Sequence, residues 1–172
     1  MGLDTGLVLK ILEKDTNQFI DCEIFYFRKN YSLSKRLQES ALYFKEYAKN
    51  LEYDGEYGIT LDLNTHPDVA WEMASRMAAE MDAEVIDFLQ EINEIDRSED
   101  EFEFDSIWDV GDYIRDVNAA ALQIHSLYLF LRKKITFETL VNICKLDVEP
   151  EIIDEPDKFD FDHMELEFYY SY

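Results

Sequence analysis

Apolar residues follow two spacings along this chain. Short segments rich in β-branched, leucine or aromatic residues, some of them alternating with polar residues, are typical of strands. Longer segments repeat apolar residues every three or four positions, which is typical of helices. The strand-like segments are residues 6–12, 19–27, 59–63 and 164–170. The spacing predicts an α+β fold in which a small antiparallel sheet (an N-terminal hairpin, a central strand and a C-terminal strand) packs with three to four helices.

Capping residues and apolar stripes delimit the helices. Ser32 or Ser34 can cap the first helix, whose inward residues continue to Leu51. The chain then predicts a long helix over residues 69–95, a third over 107–134, and a short fourth over 137–145 that Thr136 can cap. Residues 96–105, which are mostly acidic, predict a loop or a short edge strand around 102–104.

The long helix over 69–95 carries two stripes. One is apolar: Val69, Met73, Met77, Met81, Val85, Phe88, Ile92 and Ile95. The other is acidic: Glu80, Glu84, Asp87, Glu91 and Glu94. Like charges at this spacing repel one another, and no cation stands between residues 82 and 94. A solvated helix face and a binding surface are both compatible with this pattern, and a break in the helix near residues 78–82 stays open.

The net charge of −23 is concentrated in the second part of the chain. Residues 1–67 hold eight Lys and Arg against eleven Asp and Glu, whereas residues 68–172 hold eight against twenty-eight. This imbalance argues against direct binding of nucleic acid or of anionic membranes, both of which need a basic surface. The 172 residues predict a single domain spanning 1–172. No apolar run is long enough for a membrane span, so a cytoplasmic protein is expected.

Motifs for catalysis and for metal binding are missing from the sequence. There is no phosphate-binding glycine loop, no nucleophile elbow and no paired histidine motif. A calcium loop starting at Asp96 fails because Glu101 replaces its glycine and Ile107 its closing glutamate. Asp160, Asp162 and His163 form only a weak metal pattern, and Cys22 and Cys144 predict buried free thiols. The sequence therefore predicts a protein that is not an enzyme, with no catalytic residue, cofactor or metal.

Two resemblances bear on function. Met1–Asp4, MGLD, followed by YFRK at residues 26–29, resembles small proteins of phages and mobile elements. In size and charge the chain is similar to DNA-mimic inhibitors, namely anti-restriction proteins, anti-CRISPR proteins and uracil-glycosylase inhibitors. These resemblances imply a phage-encoded inhibitor, and they assign no role to any particular residue.

The leading hypothesis is an acidic inhibitor in the host cytoplasm. It would occupy the nucleic-acid-binding groove of a basic host defence protein, either a CRISPR effector or a restriction nuclease, by imitating phosphate charges. Its predicted contact residues are Glu80, Glu84, Asp87, Glu91, Glu94, Asp100, Glu101, Glu103 and Asp105. Reversing the charges of Glu84 and Glu91 is then expected to abolish inhibition without unfolding the protein.

Three alternatives stay open beside this hypothesis. The chain can be an interaction module that binds an ordinary protein partner through Tyr169, Tyr170 and Tyr172. It can also be a small enzyme whose site is assembled from dispersed acids. The aromatic content, 15% of residues, further allows a homodimer.

Overall fold

A computed structural model describes residues 4–94 and 107–171 of the chain. The strands are β1 (Asp4–Glu13), β2 (Gln18–Arg28), β3 (Lys49–Tyr53), β4 (Glu56–Asp62) and β5 (Phe159–Ser171). The helices are α1 (Tyr31–Leu42), α2 (Pro67–Glu94), α3 (Ile107–Leu131), α4 (Phe137–Cys144) and α5 (Glu151–Asp154). Short 3₁₀ turns occupy Lys45–Tyr47 and Pro156–Lys158. The predicted α+β class is confirmed.

The five strands form one antiparallel sheet in the order β2-β1-β5-β4-β3. The C-terminal strand therefore lies at the centre, between the N-terminal hairpin and the β3–β4 hairpin. In β5 every second residue from Met164 to Tyr170 is buried, and the paired residues Leu9 and Leu61 flank the buried Leu166. The alternation read from residues 164–170 thus defines the core-facing side of the sheet.

The first predicted helix was too long. Helix α1 ends at Leu42, and the residues up to Leu51 form a 3₁₀ turn and then strand β3. The Asp54-Gly55 turn explains the difference, because both residues adopt positive φ (46° and 83°), as a tight hairpin requires. Leu51 consequently pairs with a strand residue, Gly58, and is not part of a helical stripe.

The other helices differ less from the prediction. Asn30, and not a serine, caps α1: its side-chain oxygen accepts the Leu33 N–H at 3.2 Å. Helix α2 is continuous through residues 78–82, so the suspected break is absent there. Residues 96–105, with their predicted loop or edge strand, lie outside the described part of the chain.

Helices α2 and α3 pack side by side and run antiparallel. The Arg132 guanidinium lies 5.2 Å from the Trp71 ring at one end, and the Phe88 and Tyr113 rings lie 4.5 Å apart at the other. Helix α1 packs against α2 and against strands β4 and β5, which encloses the core between sheet and helices. Across the described residues no helix has the length and apolar character that a membrane span needs.

Candidate functional site

The acidic stripe of α2, which has no cation of its own between residues 82 and 94, pairs with an arginine of α1. Arg36, on α1, lies 3.6 Å from a Glu80 carboxylate oxygen and 3.2 Å from one of Glu84, and it also pairs directly with Asp87. The hydrogen bond to Asp87 and the neighbouring carboxylates raise the pKa of Arg36, against a smaller opposing effect of burial. One guanidinium therefore partly neutralises three of the five α2 carboxylates that were predicted to contact a partner.

Glu84 is the centre of this cluster and is buried, with 5% of its surface exposed. Its carboxylate accepts hydrogen bonds from the Ser32 hydroxyl at 2.9 Å and from the Tyr113 hydroxyl at 2.7 Å. The Asn30 amide donates in turn to the Tyr113 oxygen at 3.3 Å. Burial and the Glu84 carboxylate both raise the pKa of Tyr113 above its ordinary value. The network ties α1, α2 and α3 together and satisfies a buried charge.

The position of Glu84 follows from the buried face of α2. The buried residues at 73, 77 and 81 continue to Glu84, three positions later, and not to Val85, which is half-buried. Ile86 and Leu89 are 56% and 47% exposed. Sequence spacing alone placed Val85 in the apolar stripe, and the cation that makes a buried Glu84 tolerable stands nearly fifty residues earlier in the chain.

This arrangement changes the expected effect of charge reversal. A lysine at position 84 would place an ammonium beside Arg36 and remove the acceptor of two hydroxyl groups. Glu84→Lys is therefore expected to destabilise the fold, and loss of binding in that variant would not identify a contact residue. Glu91 and Glu94 are exposed and remain suitable for such a test.

Four of the five carboxylates of the acidic stripe line a cavity of about 960 Å³. Glu84, Asp87, Glu91 and Glu94 belong to its α2 wall. Residues 25–32, from the end of β2 to the start of α1, form a second wall, and α3 contributes a third with Tyr113 and Asp116. The stripe is thus placed on a concave surface, which suits a protruding segment of a partner better than the inside of a partner's groove.

The remaining predicted contact residues have different outcomes. Glu80 does not line the cavity but shares Arg36 with Glu84 and Asp87. Asp100, Glu101, Glu103 and Asp105 lie outside the described residues. Of the tyrosines proposed for an alternative interaction, Tyr169 is half-buried, Tyr170 is 9% exposed within the core, and Tyr172 lies outside the described residues.

A second acidic surface lies in residues 147–157, between α4 and β5. Its six carboxylates are all exposed: Asp147, Glu149, Glu151, Asp154, Glu155 and Asp157. The segment is held in place because Leu146, Ile152 and Phe159 are buried in the core. Among the described residues, Lys158 pairs with Glu155 at 2.7 Å and no other cation lies within 4 Å of these carboxylates. None of the contact residues predicted from the sequence lies in this segment.

Groups able to do chemistry are dispersed. In the part of the chain that the structure describes, no three His, Cys, Asp or Glu side chains gather as a metal site would require. The Asp160 carboxylate accepts the backbone N–H of Asp162 at 3.0 Å, as in a turn. Both cysteines are free thiols, Cys22 buried and Cys144 half-buried.

Comparisons with models of protein families, with curated proteins and with solved structures give no significant match.

Proposed function

We propose that this chain is a non-enzymatic acidic inhibitor that covers a basic, nucleic-acid-binding surface of another protein. The partner would be a defence nuclease or a CRISPR effector in the cytoplasm of the host cell. The inhibitor would not bind nucleic acid or anionic membranes, because both carry negative charge, as this chain does.

The observation that carries the proposal is the exposed acidic segment of residues 147–157. Among the described residues, only Lys158 lies within 4 Å of its carboxylates, whereas Arg36 partly neutralises three carboxylates of the α2 stripe. Buried anchors on both sides hold the backbone, so little conformational entropy is lost when a partner binds. Fixed, solvent-exposed negative charge is what a surface evolved for phosphates attracts, and it also accelerates encounter.

The segment also fits the shape requirement better than α2 does. A nucleic acid is a convex object inside its protein groove, and an imitator has to present its charges outward. Glu91 and Glu94 are exposed but line a concavity, whereas the six carboxylates of residues 147–157 are exposed and do not line that cavity. We therefore assign the principal contact to residues 147–157 and a supporting role to Glu91 and Glu94.

Competition between this chain and nucleic acid is the test. Proteins captured from a bacterial lysate at low salt would be identified and purified, and each would be assayed for binding of labelled DNA or RNA with increasing amounts of this chain. We expect this chain to displace the nucleic acid, and we expect the displacement to weaken steeply as salt rises, because the electrostatic screening length falls to about 3 Å at 1 M salt. A captured partner that binds equally well in high salt and keeps its nucleic acid would refute the proposal.

Two charge-matched variants locate the surface. The first neutralises four carboxylates of the segment: Glu149→Gln, Glu151→Gln, Asp154→Asn and Asp157→Asn. The second changes net charge equally at exposed glutamates elsewhere: Glu39→Gln, Glu52→Gln, Glu72→Gln and Glu138→Gln. Only the first should lose displacement. Equal losses would show that net charge, and not this segment, governs binding.

A further inference from the structure

The face of the sheet opposite the core carries a row of residues in which two tyrosines and two glycines alternate. The register places five residues side by side across all five strands: Leu51, Gly58, Tyr169, Gly6 and Tyr26. Two glycines flank the central tyrosine, and an exposed tyrosine (44% exposed) closes the row on the edge strand β2.

The glycine on β1 lets the Tyr169 ring lie down on the sheet. A Cβ atom built at Gly6 would come within 2.5 Å of the Tyr169 ring carbon Cζ and of its hydroxyl oxygen. The ring therefore extends from β5 across β1, toward Tyr26 on β2. This arrangement makes two neighbouring phenol rings part of one surface of the sheet.

The strand register places two carboxylates beside this row: Glu56 pairs with Ser171, two residues after Tyr169, and Glu23 pairs with Val8, two residues after Gly6. Burial raises the pKa of Tyr169 to about 12, and the negative charges of Glu23, Glu56 and Asp4 contribute to the shift. Glu23 and Glu56 are exposed, and within the described ranges no cationic side chain lies within 4 Å of either. Asp4 has only a distant cation, the Arg28 Nε atom at 3.9 Å. Arg28 lies near Tyr26 as well as near Asp4, so, among the described residues, the negative charge that no cation compensates at this surface is that of Glu23 and Glu56.

We propose that this face binds an arginine side chain of the protein partner, with the guanidinium stacked on Tyr26 and Tyr169 and paired with Glu23 or Glu56. A planar guanidinium can stack on a ring and donate to a carboxylate at the same time, whereas an ammonium is a strongly hydrated point charge. The inference rests on the proposed function only in requiring a basic protein partner, and it adds a contact that selects arginine over lysine.

Peptide titration tests this inference separately from the nucleic-acid competition. Oligoarginine and oligolysine peptides of equal length would be titrated into the full chain by calorimetry at about 0.15 M salt. We expect oligoarginine to bind several-fold more tightly. Tyr26→Ala should weaken oligoarginine binding about threefold to fivefold while leaving oligolysine binding unchanged, because the lost contact is a stacking contact.

Matched variants separate this face from the rest of the acidic surface. Tyr31→Ala removes an exposed tyrosine (65% exposed) that lines the cavity beside α2, and Glu138→Gln removes an exposed charge on α4. Neither should alter the preference for arginine, whereas Glu23→Gln should reduce it. Equal affinity for the two peptides, or a loss of preference in Tyr31→Ala but not in Tyr26→Ala, would overturn the inference. Circular dichroism of each variant confirms that it is folded.

Discussion

Glu84→Lys is the substitution whose outcome depends most directly on the cluster around Arg36. The wild-type carboxylate is paired with Arg36 at 3.2 Å and accepts from two hydroxyl groups. The lysine would face a cation at the same place and leave both hydroxyls without their acceptor. Breaking a buried ion pair from one side costs about 3–5 kcal/mol. We expect the lower limit, about 3 kcal/mol, because the Arg36 side chain is 27% exposed and keeps Glu80 and Asp87 nearby.

Chemical and thermal denaturation measure this loss. A chain of this size loses about 2–4 °C in Tm per kcal/mol, so a decrease of about 6–12 °C is expected. Glu84→Gln keeps an acceptor oxygen and should cost about 1 kcal/mol. Glu91→Lys, at an exposed position of the same stripe, should change stability by no more than about 0.5 kcal/mol.

The comparison of Glu84→Lys with Glu91→Lys tests whether Glu84 is buried against Arg36. If both variants unfold at the wild-type temperature, Glu84 is not buried against Arg36, and the acidic stripe is a free face as the sequence alone indicates. If Glu91→Lys is the less stable of the two, the assignment of the buried face of α2 is wrong.

Three further predictions concern the rest of the molecule. Gly58→Ala should lower the unfolding free energy, measured by urea denaturation, by about 3 kcal/mol or more, because the added Cβ would lie 1.9 Å from the Phe168 backbone oxygen. Gly6→Ala should lower it by only about 1 kcal/mol, since the Tyr169 ring can rotate away from the added Cβ. Equal losses in the two variants would contradict this prediction. The raised pKa of Tyr113 favours its neutral form in the folded state, so its contribution to the unfolding free energy is complete below about pH 10 and declines at higher pH. Tyr113→Phe should therefore flatten the fall of the unfolding free energy at alkaline pH. An unchanged slope would refute this prediction. A thiol reagent should modify the half-buried Cys144 in the folded protein. It should modify Cys22 only on unfolding, because burial raises the pKa of that thiol to about 12. Peptide mapping that shows early modification of Cys22 would contradict this prediction.

Local patterns predicted the sheet better than the helix faces. The strands of the N-terminal hairpin and those at residues 59–63 and 164–170 were predicted correctly. The reason is that successive side chains of a strand point to opposite faces of the sheet, so alternation in the sequence is enough to assign each face. Strand β3 was missed because Ala48 and Leu51 also fit the spacing of a helix. An Asp-Gly pair such as Asp54-Gly55 is typical of a hairpin turn, and requiring strands on both sides of it predicts β3.

The acidic stripe shows why charge patterns in a sequence do not by themselves define a binding surface. The repulsion between carboxylates on a helix is offset where a positive charge lies beside them. Here tertiary packing brings Arg36 of α1 to the acidic stripe. Among the described residues, the carboxylates of residues 147–157 have only Lys158, the residue after the segment, within 4 Å, and the Lys14 ammonium donates to the Asp157 backbone oxygen and not to a carboxylate. The charge that stays unpaired in the folded chain, and not the charge run in the sequence, sets the electrostatic field around the molecule. For this reason we place the proposed contacts at residues 147–157 and at the face that bears Tyr26 and Tyr169.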